Sequence, residues 1–162
     1  MEDFGSAALR RLLAKLPEAV LETHARLGDA TAVVDRAALL DVLRLLRDEP
    51  GLDFDMLTDL CAVDYLPRVP RFEVVYHFYS TQRNHRLRVK VRVGEDDAQV
   101  DSAVPLYVSA NWMEREVWDL YGIRFRGHPD PRRILLYEEF EGHPLRKDYP
   151  KERRQPLVGP RN

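Results

Sequence analysis

Residues 71–94 read Arg71-Phe72-Glu73-Val74-Val75-Tyr76-His77-Phe78-Tyr79-Ser80-Thr81-Gln82-Arg83-Asn84-His85-Arg86-Leu87-Arg88-Val89-Lys90-Val91-Arg92-Val93-Gly94. Phe72, Val74, Tyr76 and Phe78 alternate with Glu73, Val75, His77 and Tyr79. Leu87, Val89, Val91 and Val93 alternate with Arg86, Arg88, Lys90 and Arg92. A period of two is the mark of a half-buried strand. Placing Tyr79 opposite Arg86 sets Phe78 against Leu87, Tyr76 against Val89, Val74 against Val91 and Phe72 against Val93. The same register sets Glu73 against Arg92 on the other face. One register satisfies both faces, so the two segments (about 72–79 and 86–93) form an antiparallel hairpin with an apolar face and a basic face, joined by Thr81–His85.

An apolar sheet face needs a cover, and the flanking sequence supplies it. Leu9, Leu12, Leu13 and Leu16 form a helical stripe with Ser6 as its cap, and a second helix is expected after Pro17 through Val20, Leu21 and His24. Thr31-Ala32-Val33-Val34 reads as a short strand. Asp35 caps a helix carrying Leu39, Leu40, Val42, Leu43 and Leu46, which stops before Pro50-Gly51. Met56–Tyr65 is open between helix and strand. Glu95–Asp101 is an acidic turn and Val104–Ser109 is irregular. Asn111-Trp112-Met113-Glu114 has the spacing of a capping box for a helix ending at Tyr121, with Gly122 as its stop. The expected class is α+β: a small mixed sheet with helices packed on it. An extended, irregular C-terminal segment follows, dividing the chain into 1–122 and 123–162.

Composition narrows the function. The 162 residues are 44% hydrophobic and 32% charged with 15 aromatic side chains, which fits one folded globular domain and excludes disorder. The net charge of −2 is too small for the whole protein to be drawn to nucleic acid or membrane. It is unevenly spread, at −5 over residues 1–60, +1 over 61–110 and +2 over 111–162. One cysteine, Cys61, excludes a disulfide scaffold or a self-contained thiolate cluster and points to a reducing compartment. No apolar run reaches the ~18 residues a membrane span needs, and Met1-Glu2-Asp3-Phe4-Gly5 lacks the basic-then-apolar order of a signal peptide.

The last third holds the unusual chemistry. His128, Asp130, Glu138, Glu139, Glu141, His143 and Asp148 offer metal ligands, but none shows the i, i+4 spacing of a metalloprotease helix. His128 and His143 each lie between Gly and Pro, as turn residues do. Pro129-Asp130 with Lys147 falls short of a metal-dependent nuclease motif, because Leu145-Arg146 stands where that motif needs an acid. Cys61 has no adjacent His and reads as a buried, inert thiol. The basic hairpin face (Arg83, Arg86, Arg88, Lys90, Arg92) lacks the interleaved aromatics of a nucleic-acid platform apart from Tyr79. Pro and Gly fix the path of 123–162, while its Arg and Asp side chains can either staple it to its own domain or meet a partner.

Glu114-Arg115-Glu116, Asp119-Leu120-Tyr121-Gly122, Phe125, Gly127-His128-Pro129-Asp130, Arg132-Arg133-Ile134-Leu135, Phe140-Glu141-Gly142 and Pro144-Leu145-Arg146-Lys147-Asp148-Tyr149-Pro150 resemble the signature of the 30-kDa subunit family of respiratory complex I, the C subunit of bacterial NADH:quinone oxidoreductase. Leu57-Thr58-Asp59-Leu60, Val63-Asp64-Tyr65 and Ala110-Asn111-Trp112 extend the resemblance upstream. It implies a non-catalytic α+β subunit without flavin, iron–sulfur cluster or quinone. FMN and the iron–sulfur clusters would belong to partner subunits. It also implies a peripheral place on the cytoplasmic side of the cell (inner) membrane, reached only through the complex, beside the quinone-site and cluster-bearing subunits. Similar chains serve membrane-bound hydrogenases and other donor:quinone oxidoreductases. The chain is expected to stand unfused, with a short polar tail at 151–162. The expected partner-facing residues are Glu114, Arg115, Glu116, Asp119, His128, Asp130, Arg132, Arg133, Arg146, Lys147 and Asp148, with Ile123–Asn162 laid over a neighbour and no nucleic acid involved.

Overall fold

The hairpin organises the whole molecule. In the computed structural model, which describes residues 4–156 with side chains from Ala7 onward, β4 (Phe72–Ser80) and β5 (His85–Val93) pair antiparallel. Every expected cross-strand pair is present, from Phe72 opposite Val93 to Tyr79 opposite Arg86, and Ser80 opposite His85 shortens the loop by one residue. Phe72, Val74, Tyr76, Phe78, Leu87, Val89, Val91 and Val93 are each at most 2% exposed. Much of the basic face is paired at home: Lys90 donates to Glu73 (2.8 Å), Arg92 to Glu22 (2.6 Å) and Arg88 to Asp29 (3.1 Å), while Arg86 stacks on the Tyr79 ring.

Three further strands, β1 (Val20–His24), β2 (Thr31–Val34) and β3 (Met56–Asp64), complete a mixed sheet in the order β1-β2-β5-β4-β3. β2 runs parallel to β5, and β3 runs antiparallel to β4 with an irregularity between Leu57 and Asp59. α1 (Phe4–Lys15) brings Leu9 and Leu12 to the apolar face, and α2 (Leu39–Asp48) brings Leu39, Val42, Leu43 and Leu46. Asp35 caps the 3₁₀ turn (Arg36–Ala38) leading into α2 by accepting from the Ala37 N–H at 2.7 Å. α3 (Ala110–Tyr121) lies along β3, the outermost strand, a placement that guards a sheet edge against foreign pairing. β6 (Gln99–Asp101) and β7 (Arg124–Arg126) form a small parallel pair beside α3.

Several local readings change. Val20–His24 is not helical: after a 3₁₀ turn at Pro17–Ala19 it forms β1, paired antiparallel with β2. Five residues are too few to establish a 3.6-residue period, and the unpaired edge of β2 decides the matter. Leu21 therefore points outward, 57% exposed. The capping box does not form, because α3 starts at Ala110 and Glu114 turns away to Ser102 and Ala103. Met56–Asp64 resolves to strand. Part of the acidic turn becomes β6. The stop at Gly122 is as expected: its φ is +74° and its N–H bonds the Trp118 carbonyl at 2.8 Å. The cap expected of Ser6 and the tail beyond residue 156 lie outside the described residues.

Tyr76 is fully buried on the apolar face, and its hydroxyl has no hydrogen-bond partner among the described residues. Tyr76→Phe should therefore leave the urea midpoint unchanged or raise stability by about 1 kcal/mol, since only an uncompensated desolvation penalty is removed. Phe78→Ala should cost about 3–5 kcal/mol through the cavity it leaves. A Tyr76→Phe variant destabilised by more than ~1 kcal/mol would mean that the hydroxyl is bonded after all.

Candidate functional site

The C-terminal segment is irregular in path but not loose. Two buried carboxylates on the folded body, Asp119 and Asp64, seize it, a third, Glu114, lies beside it, and each is satisfied in a different way.

Asp119 lies on the side of α3 turned from solvent and is 0% exposed. One oxygen accepts from Arg133 Nη1 at 2.6 Å. The other accepts from three successive backbone N–H groups, Ile134, Leu135 and Leu136, at 3.1, 2.9 and 2.9 Å. Consecutive N–H groups converging on one anion form a concave nest that substitutes for water. Burial pushes the Asp119 carboxyl up, but the Leu136 N–H, Arg133 and the neighbouring N–H groups outweigh it and hold the pKa below the ordinary value. Arg133 then reaches the carbonyls of Phe140 (2.8 Å) and Gly142 (3.3 Å), with its guanidinium over the rings of Trp118 and Phe140. His143 Nδ1 donates to the Asp119 carbonyl at 2.9 Å. Gly122 makes this approach possible, because a Cβ there would meet the His143 ring at 2.6 Å.

The second anchor joins the ends of β3 and β4 to residues 147–148. The Arg71 side chain is 4% exposed and that of Asp64 2%. Arg71 grips Asp64 bidentately through Nε (3.0 Å) and Nη2 (2.7 Å). Its remaining N–H groups reach Glu95 (2.6 Å) and both oxygens of Asp148 (3.0 and 2.6 Å). All five guanidinium donors are thus used. Asp64 also accepts the N–H groups of Lys147 (2.8 Å) and Leu66 (2.9 Å). Burial acts to raise Asp64, but Arg71 and these N–H groups hold it far below the usual carboxylate range, while Arg71 is raised in turn.

Glu114 is the third. Its side chain accepts from Ser102 Oγ (2.7 Å) and the Ala103 N–H (2.6 Å), and no Lys or Arg pairs with it among the described residues. Burial pushes its pKa up to about 7 against those two hydrogen bonds. His128 stands 4.0 Å away. Because the Asp130 N–H donates to His128 Nδ1 (3.0 Å), Nε2 carries the proton and donates to the Asn111 carbonyl (2.9 Å). Both ring nitrogens are therefore occupied.

The expected partner-facing residues are thus brought together, but most face inward onto their own chain. Arg133, Asp119, Asp148, Glu114 and His128 serve the anchors, and Arg146 Nε donates to the Tyr121 carbonyl at 2.6 Å. Arg115 holds the carbonyls of Arg132 and Arg133 (3.1 and 3.0 Å). Arg133 and Arg146, both expected to face a partner, make these contacts within their own chain. Carboxylates and carbonyls within the chain claim them first. Arg132, paired with Asp130 at 2.6 Å, remains exposed, as do Glu116 and the Lys147 side chain. Sequence reasoning missed Arg71, read only as the first residue of a strand. An Arg before an apolar strand and an Asp closing the preceding one were the available signals. Between α3, β7 and residues 128–131 lies a pocket of about 380 Å³, with Glu114 and His128 at its inner surface. Among the described residues no group of three or more His, Cys, Asp or Glu is placed to hold a metal.

These features define a class: an α+β module whose C-terminal third is clamped to its body by buried carboxylates. The sequence model described as the respiratory-chain NADH dehydrogenase 30 Kd subunit matches residues 32–155, and the chain belongs to that family. The NADH-quinone oxidoreductase C subunit of Hyphomonas neptunium is 48% identical over 84% of this chain and 67% of its own length. The protein of the same name from Roseiflexus sp. is 48% identical over 90% and 83%. A trypsin-resistant fragment of Nqo5 superposes with a TM-score of 0.67 at 33% identity, covering 76% of this chain and 98% of the fragment. A chain of the membrane-bound sulfane sulfur reductase, an archaeal respiratory membrane complex, superposes with a TM-score of 0.77 at 25% identity, covering 91% and 86%.

Asp119→Asn removes the charge that pairs with Arg133, so the segment should loosen by about 3–5 kcal/mol. Tryptic cleavage after Arg132 and Arg133 should accelerate at least tenfold (order of magnitude); unchanged protection would show that Asp119 is not the clamp. Glu114 carries the opposite pH signature. Its folded pKa lies above the unfolded value, so its contribution is full in mild acid and is lost as pH rises through about 7. Unfolding at pH 5 and pH 8 should show wild type losing up to about 3 kcal/mol more than Glu114→Gln between the two. Parallel slopes would contradict the raised value. Asp119 and Asp64 behave in reverse, with stability present at neutral pH and lost as acid protonates them.

Proposed function

We propose that this chain is a structural, cofactor-free subunit of the peripheral arm of a proton-pumping NADH–quinone oxidoreductase. In this reading it sits on the cytoplasmic side of the cell membrane, attached through its neighbours, and supports the quinone-site and cluster-bearing subunits. Electrons pass from NADH through FMN and iron–sulfur centres in those partners to quinone, and ion translocation is coupled to that flow. This chain contributes shape and contact surface. The observation that carries the reading is the near-50% identity, across most of the sequence, to named components of NADH-quinone oxidoreductase. The chemistry of the anchors supports it, because the carboxylates and histidines of the C-terminal third use their hydrogen bonds in holding the chain. No helix among the described residues is long and apolar enough to cross a membrane, in keeping with attachment through partners.

A rigid segment serves this role better than a loose strap. Its ordering entropy is lost during folding rather than at assembly, so partner contacts are not weakened by it. A second reading has one observation in its favour. The likeness to a sulfane sulfur reductase chain fits a module that also serves complexes with donors other than NADH. The identity of 25% there, against 48–49% for the NADH-quinone oxidoreductase relatives, favours NADH.

Purification of the complex through a tag on this chain should bring down subunits carrying flavin and iron absorbance. The isolated chain should be colourless and inactive. Membranes from cells lacking it should lose NADH-driven quinone reduction. An isolated chain that turned over substrate or carried its own prosthetic group would overturn the reading.

A further inference from the structure

The 380 Å³ pocket is not consumed by the anchors. Its walls are apolar, formed by Trp118, Phe125 and Pro131, and its volume is at the lower end of what binding clefts span. Its inner polar groups, Glu114 and His128, already have their hydrogen bonds. The rim is basic. Arg115 is held by backbone carbonyls with Asp130 at 3.7 Å, and Arg126 is paired with Asp101 at 2.9 Å. Arg124, exposed on β7, bonds the Ala98 carbonyl through its backbone N–H, but its guanidinium makes no hydrogen bond or ion pair with any described residue, so the pocket mouth keeps one uncommitted positive charge.

The surface continues beyond this mouth. Arg115 also borders a second depression that includes Val108 and Trp112, 82% and 71% exposed. An apolar pocket, a cationic rim and a further apolar shelf across one shared arginine make a footprint longer than a small metabolite. It suits an extended polypeptide.

We propose that this pocket is a docking site for a polypeptide segment of a neighbouring subunit, which seats one apolar side chain between Trp118 and Phe125 and sets a carboxylate beside Arg124. The proposal rests on the reading of the chain as an assembled subunit and goes beyond it by assigning a surface and the chemistry of its occupant. Charge decides the class of occupant: with Arg115 and Arg126 paired to Asp130 and Asp101, a basic segment would meet the unpaired Arg124 with like charge, which lowers affinity and slows encounter. The apolar side chain supplies the anchor, as desolvated central residues do at most interfaces.

The test uses the assembled complex. The photo-crosslinking residue p-benzoylphenylalanine replaces Trp112 on the adjoining shelf, leaving Arg124 in place, and crosslinked peptides are identified by mass spectrometry. The expected product joins this position to one neighbouring-subunit segment in which Asp or Glu stands beside an apolar residue. Arg124→Glu should then lower co-purification about tenfold, Arg124→Lys should leave it near wild type, and exchange of the crosslinked carboxylate for Lys should rescue Arg124→Glu. The proposal is overturned if crosslinks fall only within this chain, on a basic segment or on a small molecule. It is equally overturned if Arg124→Glu assembles as wild type does. In those cases co-purification of the wild-type chain still stands, so the reading as an assembled subunit survives. If wild type itself brings down no partner, both fall.

Discussion

A carboxylate taken out of water must find replacement donors, and that requirement governs this structure more than any single packing contact. Asp64, Asp119 and Glu114 all lie inside, yet they meet the requirement differently. Asp119 is wrapped by three backbone N–H groups and an arginine, Asp64 by an arginine and two backbone N–H groups, and Glu114 by a hydroxyl and one N–H with no arginine or lysine paired to it among the described residues. The first two can stay charged. The third carries a pKa raised by burial. The donors to Asp119 and one of those to Asp64 come from residues 133–147, so the body cannot bury Asp119 as a charged group unless the C-terminal segment is in place. A segment without periodic apolar residues thereby acquires a single path.

Arg71 makes this cooperative. Its guanidinium binds Asp64 of β3, Glu95 after β5 and Asp148 of the segment together. Buried ion pairs are weak sources of net stability, because desolvation offsets much of the attraction. Their geometric demand is strict, however, since removing one partner strands the others. Such a cluster therefore specifies conformation more than it stabilises it. For a member of a multi-subunit family that distinction matters: a surface must be presented in one shape before neighbours can match it.

Much of the sheet was legible from residue order alone. The β4–β5 register followed from alternation on two faces at once, and Asp35 and Gly122 acted as cap and stop through local chemistry that needs no distant partner. Residues 20–24 were misread because a short mixed segment takes its conformation from a neighbouring strand. The capping box at Asn111 failed for a related reason. Glu114 had the right spacing, but a buried hydroxyl and N–H hold it more firmly than the helix end could. The family resemblance singled out the anchoring residues of the last third, but not the direction in which they face.

The amino-acid order by itself determined the hairpin, its apolar face, the helices that cover it and the family to which the chain belongs, because periodicity and motif spacing are properties of neighbours along the chain. Only the tertiary structure decided that Arg133 belongs to Asp119, that Arg71 gathers three acids, and that Arg124 is left beside a pocket. The physical reason is that a long, flexible cation can reach many carboxylates, and nothing local ranks them. The choice falls to whichever acid is buried deepest and would lose most by going unpaired.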